Sequence, residues 1–234
     1  MYELNYKVTT STCDANGKLK LYAALQMMQD CSEMWIESES GVERYFREQG
    51  MAQLLASRQV DIVRVPTFKE ELRVVTTVYE MKPMFGFRNT FIYDAQGLPC
   101  YKTWSMGAFV DRQTGKLKRV DDVTISSMHL EPQLEMEYLD RRIMLPHEEP
   151  QCLENIPVLR NDIDYNQHMN NANYIRIALE LLPADFQVHR MRVEFRMPAK
   201  LGDCLTPHLY AIEGGYIASL MLGTNVSTLI EFRG

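Results

Sequence analysis

Residues 164–183 read DYNQHMNNANYIRIALELLP. The stretch changes character halfway. Seven of the ten residues from Asp164 to Asn173 are Asp, Asn, Gln or His. Beyond them Ala172, Ile175, Ala178, Leu179 and Leu182 recur at helical spacing and predict a helix with one apolar face. Asparagine is a poor helix former but a good cap, so Asn170 or Asn171 is expected to start that helix.

An earlier stretch follows the same plan. DANGK (residues 14–18) is turn chemistry, and it precedes LKLYAALQMMQDCSEMWIES, where Leu21, Ala24, Leu25, Met28 and Trp35 are helically spaced. This run is apolar over much of its circumference, so it is expected to pass through a core rather than along a surface. Asp14 stands opposite Asp164, Asn16 opposite Asn166, and Lys18 where the later copy has His168. Farther on, RVP (64–66) answers RMP (196–198), each ending a strand that follows the helix. Two matches in the same order predict a duplication.

β-Branched segments and turns fill the rest of each half: QLLASRQVDIVRV, ELRVVTTVYEMK, and FRNTFIYD–AQG–LPCYKTWSMGAFVD in the first, then HRMRVEF, DCLTPHLYAIE, GGYIASLMLG and NVSTLIEF. From about Lys118 to Asn155 the pattern weakens, the chain is charged and Pro132, Pro146 and Pro150 punctuate it, which reads as a connector with a short helix. The expected fold class is α+β: a tandem repeat in which each unit wraps an antiparallel sheet around one long central helix. The expected boundaries are residues 1–125, a linker over 126–154, and 155–234.

Composition narrows the function. Of 234 residues, 46% are apolar and 24% charged, an ordinary globular mix. A formal net charge of -6 lacks the basic field of a nucleic-acid protein. The N-terminal stretch has no apolar run behind a basic start, and no segment is long and apolar enough to span a bilayer, so neither signal peptide nor membrane insertion is expected. Five cysteines without a CxxC read as thiols in a reducing cytoplasm, and five scattered histidines predict no metal site. No cofactor motif, phosphate loop or GxSxG elbow is present.

The polar mouth of the second helix is the one constellation with chemistry. Asp164, Asn166 and His168 alternate, so an extended segment would present all three on one face. Imidazole and carboxylate supply acid–base chemistry, the carboxamide positions an oxygen, and the helix N-terminus behind them suits an oxyanion. DANGK displays the plainer reading, a turn and cap only; the histidine and extra asparagines are what the second copy adds.

NDIDYNQHMNNANYI resembles the signature of plant-type acyl-acyl-carrier-protein (acyl-ACP) thioesterases, and SRQVDIVRVPTFKEELRV and the FRNT…TGK hairpin extend the resemblance over almost the whole chain. It implies two hotdog domains in one chain, the acyl pocket largely in the first and the catalytic set in the second. It implies release of free fatty acid from acyl-ACP in fatty acid biosynthesis, with Asp164, Asn166 and His168 matching the family's catalytic Asp, Asn and His. The chain departs from the family in one place: an adjacent Glu–Cys pair is replaced by Pro198–Ala199, so a cysteine nucleophile has no support there. The expectation is therefore direct attack by water, activated by His168 or Asp164. Met27, Met28, Met34, Trp35, Met84, Phe85 and Phe87 are candidates to line the acyl chain, and Arg141–Arg142 or Lys116–Lys118–Arg119 to dock the acidic carrier. The rival readings are an acyl-CoA thioesterase, a hotdog dehydratase and a catalytically weak acyl-binding protein. Monomer and homodimer both fit.

Overall fold

The computed structural model describes residues 1–234, apart from the side chain of Ser40. The chain forms two compact units, one of Met1–Ala56 and Ile62–Tyr138, the other of Ser57–Asp61 and Leu139–Gly234. Both are antiparallel sheets with helix, so the fold is α+β, with a large antiparallel component and few helices.

The first unit contains β1 (Tyr2–Lys7), α1 (Leu21–Ser38), α2 (Ser40–Glu48), β2 (Met51–Ile62), β3 (Glu71–Lys82), β4 (Phe85–Asp94), β5 (Pro99–Asp111) and α3 (Asp122–Ser127). Its strands lie in the order β1-β3-β4-β5-β2. Buried Ala23, Ala24, Leu25, Met27, Met28, Cys31 and Trp35 cover most of the circumference of α1, which is why it needs a sheet curved against it. Successive residues of β4 show the two faces of that sheet. Thr90 meets Ser32 of α1 at 3.5 Å between hydroxyls, while Asn89 points the other way. Its Oδ1 accepts from the Leu134 N–H and the Tyr138 hydroxyl, each at 3.0 Å, so the connector is tied to the outer face. The β4–β5 turn closes at Gly97 (φ 80°), as the sequence predicts.

The second unit contains β6 (Gln151–Cys152), β7 (Ile156–Pro157), a 3₁₀ turn (Arg160–Asp162), α4 (Asn171–Leu179), β8 (Arg190–Phe195), β9 (Cys204–Ile212), β10 (Gly215–Leu222) and β11 (Asn225–Arg233). Its order is Ser57–Asp61 of β2, then β8, β11, β10, β9 and β6, with β7 also on β9. The Tyr174 and Phe195 rings lie 5.8 Å apart, so α4 covers the face of β8 that carries Val193 and Phe195. On the opposite face, Glu194 accepts from the Ile143 N–H, Gln59 accepts from the Leu139 N–H at 3.1 Å, and Arg192 donates to the Asp140 carbonyl at 2.7 Å.

Helix α4 is shorter than its apolar periodicity suggests. It ends at Leu179, and Leu181 and Leu182 lie in the turns that follow. Pro183 bars its predecessor from helical geometry, which removes Leu182 from the apolar face. No helix among the described residues is long and apolar enough to cross a membrane.

Candidate active site

The residues before α4 form a closed turn. Asp164 N–H donates to the His168 carbonyl at 2.9 Å, and Gln167 N–H to the Asp164 carbonyl at 3.0 Å. Asp164 Oδ1 accepts the Asn166 N–H at 2.8 Å, and Ile163 bridges Met169. Gln167 takes φ 63°, a left-handed conformation that is uncommon outside glycine. The first unit repeats this geometry: Asp14 N–H to the Lys18 carbonyl at 2.8 Å, Asn16 N–H to Asp14 Oδ1 at 2.8 Å, Cys13 bridging Leu19, and Gly17 at φ 72°.

This corrects one expectation. Residues 164–168 are not extended, so alternation does not bring Asp164, Asn166 and His168 onto one strand face. What joins them is backbone: Asp164 to His168 through the turn's closing bond, and Asp164 to Asn166 through its carboxylate. Asn166 is exposed and His168 half-buried, and neither side chain bonds to another described residue. Asp14 accepts the Asn16 N–H in the same way, and the Lys18 N–H at 2.9 Å besides, with no histidine in its turn, so shaping the turn accounts for one oxygen of each aspartate.

The asparagines divide their work. Asn170 caps α4, its Oδ1 accepting from the Ala172 N–H at 2.9 Å, as the sequence predicts for one of the pair. Buried Asn173 donates to the Asp162 carbonyl at 3.1 Å, and Asn170 N–H reaches the same carbonyl at 2.8 Å. Asp162 is the framework residue that sequence reasoning missed. Its carboxylate accepts from Arg176 at 2.9 Å and from the Leu159 N–H at 2.9 Å, locking the 3₁₀ turn to the helix. An NxxR spacing, Asn173 to Arg176, was the available signal.

A second missed residue is Tyr174. Its hydroxyl accepts the Ala199 N–H at 2.8 Å, and the Ala199 carbonyl accepts the N–H of Met169, next to His168, at 2.8 Å. In the first unit the corresponding bond runs from Leu19 N–H to the Pro66 carbonyl at 2.8 Å. Pro66 therefore stands where Ala199 stands, one residue past the RVP/RMP match. Proline has no N–H to satisfy, and Ala24 occupies the place of Tyr174. Alanine at 199 restores a donor, and a buried donor needs an acceptor. Burial raises the Tyr174 phenol above the ordinary tyrosine value, while the Ala199 N–H and the Ser227 hydroxyl draw it back.

Glu194 is no substitute base. It is buried on the face away from α4, accepting from the Ile143 N–H and from Arg196 at 3.1 and 3.2 Å. No cluster of three metal-ligating side chains exists among the described residues.

In the first unit a cavity of about 10 Å³, room for one water, is bounded by Trp35, Phe46, Met81, Phe87, Arg88 and Phe109, among others. Of the seven acyl-pocket candidates only Trp35 and Phe87 line it; Met27 and Met28 are buried in the core of α1, and Met84 is exposed. Of the docking cations, Lys118 bonds to Asp111 and Arg119 to Asp122, whereas Arg141 and Arg142 are exposed.

A helix laid against a curved antiparallel sheet is the hotdog type of fold, and this is the class shared with the solved structures the chain resembles. The chain belongs to the acyl-ACP thioesterase family: residues 1–128 match the acyl-ACP thioesterase N-terminal domain and residues 146–226 the C-terminal domain. Among curated proteins it is similar to oleoyl-acyl carrier protein thioesterase 2, chloroplastic, of Arabidopsis thaliana, 23% identical over 201 residues that cover 76% of this chain and 52% of the relative. The chain thus spans about half the length of that relative. An acyl-ACP thioesterase from Bacteroides thetaiotaomicron superposes with a TM-score of 0.88 at 19% identity, covering 99% of this chain and 96% of that one. The 12:0-ACP thioesterase from Umbellularia californica gives 0.85 at 14% identity, covering 99% and 94%. At these identities the structural likeness is one of fold. The resemblance read from NDIDYNQHMNNANYI is borne out.

Proposed function

We propose that this chain hydrolyses acyl-ACP thioesters, releasing free fatty acid by direct attack of water. The observation that carries the reading is the asymmetry of two turns with the same backbone closing bonds: only the one before α4 places an imidazole, His168, beside a backbone anchored to both the turn and Ala199. Family membership supplies the substrate class.

In this reading His168 takes a proton from water, and the hydroxide adds to the thioester carbonyl carbon. The Asn166 carboxamide and the first turn of α4 face the resulting oxyanion. Asn170 already occupies the Ala172 N–H, so the Asn171 N–H is the helix donor left for that role. Collapse expels the carrier thiolate, which recovers its proton from the imidazolium. Asp164 holds the turn through Oδ1 and presents Oδ2 to orient its partners. Pro198–Ala199 offers neither base nor nucleophile, which is why the route needs no acyl-enzyme.

The two matching turns, each before a helix that packs on a sheet, support a tandem pair of hotdog domains over residues 1–125 and 155–234, linked by 126–154. The acyl chain belongs to the first domain, near Trp35 and Phe87. The acidic carrier docks through Arg141–Arg142, adjacent exposed cations without an acid partner. Single-turnover hydrolysis of one acyl group presented on ACP and on CoA tests the reading. Preference for ACP supports it, preference for CoA makes the chain an acyl-CoA thioesterase, and bound fatty acid with no hydrolysis of either makes it an acyl-binding protein.

A further inference from the structure

Arg58 takes no part in the proposed hydrolysis. It lies in the segment of β2 that belongs to the second unit, and it is 5% exposed. Its Nε is buried without a hydrogen-bond partner. The other buried arginine differs: Arg88 donates to the Ser32 carbonyl at 2.9 Å and lies 4.8 Å from the Trp35 ring centroid, and half-buried Arg192, whose Nε also lacks a partner, is paired with Glu231. Burial alone lowers Arg58, to about 10, with no acidic side chain opposing it, so it remains charged at neutral pH. Burying an arginine with part of its guanidinium unpartnered is costly, and a bound anion would offset that cost.

The strand register says on which side that anion lies. Arg58 pairs with Val193 and Val60 with Met191, so these four share one face of the sheet. That is the face of Phe195, whose ring packs on Tyr174 in the first turn of α4. The polar neighbours Ser57, Gln59 and Asp61 alternate to the opposite face, where Asp61 is bound by Arg190 at 2.6 and 3.1 Å. Arg58 is thus a cation on a surface that α4 covers, among Val60, Met191, Val193 and Phe195, a face to which Thr228, opposite Phe195 on β11, adds a buried hydroxyl without a partner. One strand spacing and two residues along β8 separate it from Phe195, about 8 Å between Cα atoms. An extended arginine side chain reaches most of that distance.

We propose that Arg58 is a ligand-binding residue that takes the carboxylate of the released fatty acid. One buried guanidinium among the apolar side chains of Val60, Met191 and Val193 matches a carboxylate head in chemistry. The inference rests on the thioesterase reading for the origin of the acid but not for its binding, and the test separates the two.

The experiment is calorimetric titration of the full chain with octanoate, dodecanoate and hexadecanoate and with the matching primary alcohols, on wild type and Arg58→Met, with melting curves of both. A charged hydrogen bond in a buried site gives the acid an advantage over the alcohol of roughly 10- to 100-fold in wild type. Arg58→Met is expected to abolish the advantage while melting at or above the wild-type temperature, because it removes an uncompensated charge and keeps the bulk. Wild type that binds acids no tighter than alcohols, or Arg58→Met that keeps the preference, overturns the proposal. So does Arg58→Met that melts well below wild type, which would assign Arg58 to the fold. Loss of hydrolysis is not the readout: a chain that hydrolyses nothing yet prefers acids through Arg58 refutes the proposed function and keeps this one.

Discussion

Removing one oxygen, in Tyr174→Phe, probes the link between helix and turn. The ring keeps its packing on Phe195, and only the hydroxyl goes. That hydroxyl is the acceptor for the Ala199 N–H, and Ala199 is 0% exposed, so water cannot take its place. A buried donor left unsatisfied costs about 1–3 kcal/mol. For a chain of this size each kcal/mol moves the melting temperature by roughly 2–4 °C, so a fall of roughly 2–12 °C is expected by calorimetry or circular dichroism. Turnover should fall more than KM rises, because Ala199 in turn anchors Met169 beside His168. An unchanged melting temperature would refute the reasoning. It would mean that the Ala199 N–H is not dependent on Tyr174 and that the contrast with Pro66 and Ala24 has no energetic content.

Other consequences are more local. Asn170→Ala deletes the cap of α4 and should destabilise the chain by about 1 kcal/mol in urea unfolding, with Asn170→Asp or Asn170→Ser largely retaining it. Glu70 is held at about 2 from an ordinary 4.5, first by its bond to Arg64 and then by Thr67. A depressed carboxyl contributes stability that is complete above about 4.5 and disappears as pH falls towards about 2. Glu70→Gln should therefore lower stability at neutral pH and flatten the acid limb of the pH–stability curve across that window. Arg141→Glu/Arg142→Glu should raise KM for acyl-ACP several-fold and leave acyl-CoA kinetics alone, and salt should erode the difference between wild type and variant.

What the sequence disclosed depended on how local the physics was. The turn at DANGK and its counterpart at DYNQH were legible because their bonds join residues two to four apart, and α1 because its apolar circumference is written in its own spacing. The alternation of Asp164, Asn166 and His168 misled for a related reason: an aspartate turn and a strand both place polar residues at every second position, and only Gln167 at φ 63° separates them. The roles of Asn89, Gln59 and Tyr174 were illegible, since each bonds to a segment 25 or more positions away. Ser57–Asp61 reads SRQVD, a mostly polar piece of a strand, and nothing in it announces β8 as its partner. The offset between RVP and RMP arose because proline was matched by identity, whereas the backbone registers by its hydrogen bonds.

The central claim is that the turn before α4 is catalytic and its counterpart in the first unit is not. It is tested most directly by single-turnover hydrolysis of acyl-ACP by wild type, His168→Ala and Lys18→Ala. The account predicts that His168→Ala folds and loses roughly 10²–10⁴-fold in rate, as expected for removal of a general base, while Lys18→Ala is unaffected. Wild-type rates in His168→Ala, or an equal loss in Lys18→Ala, would contradict it.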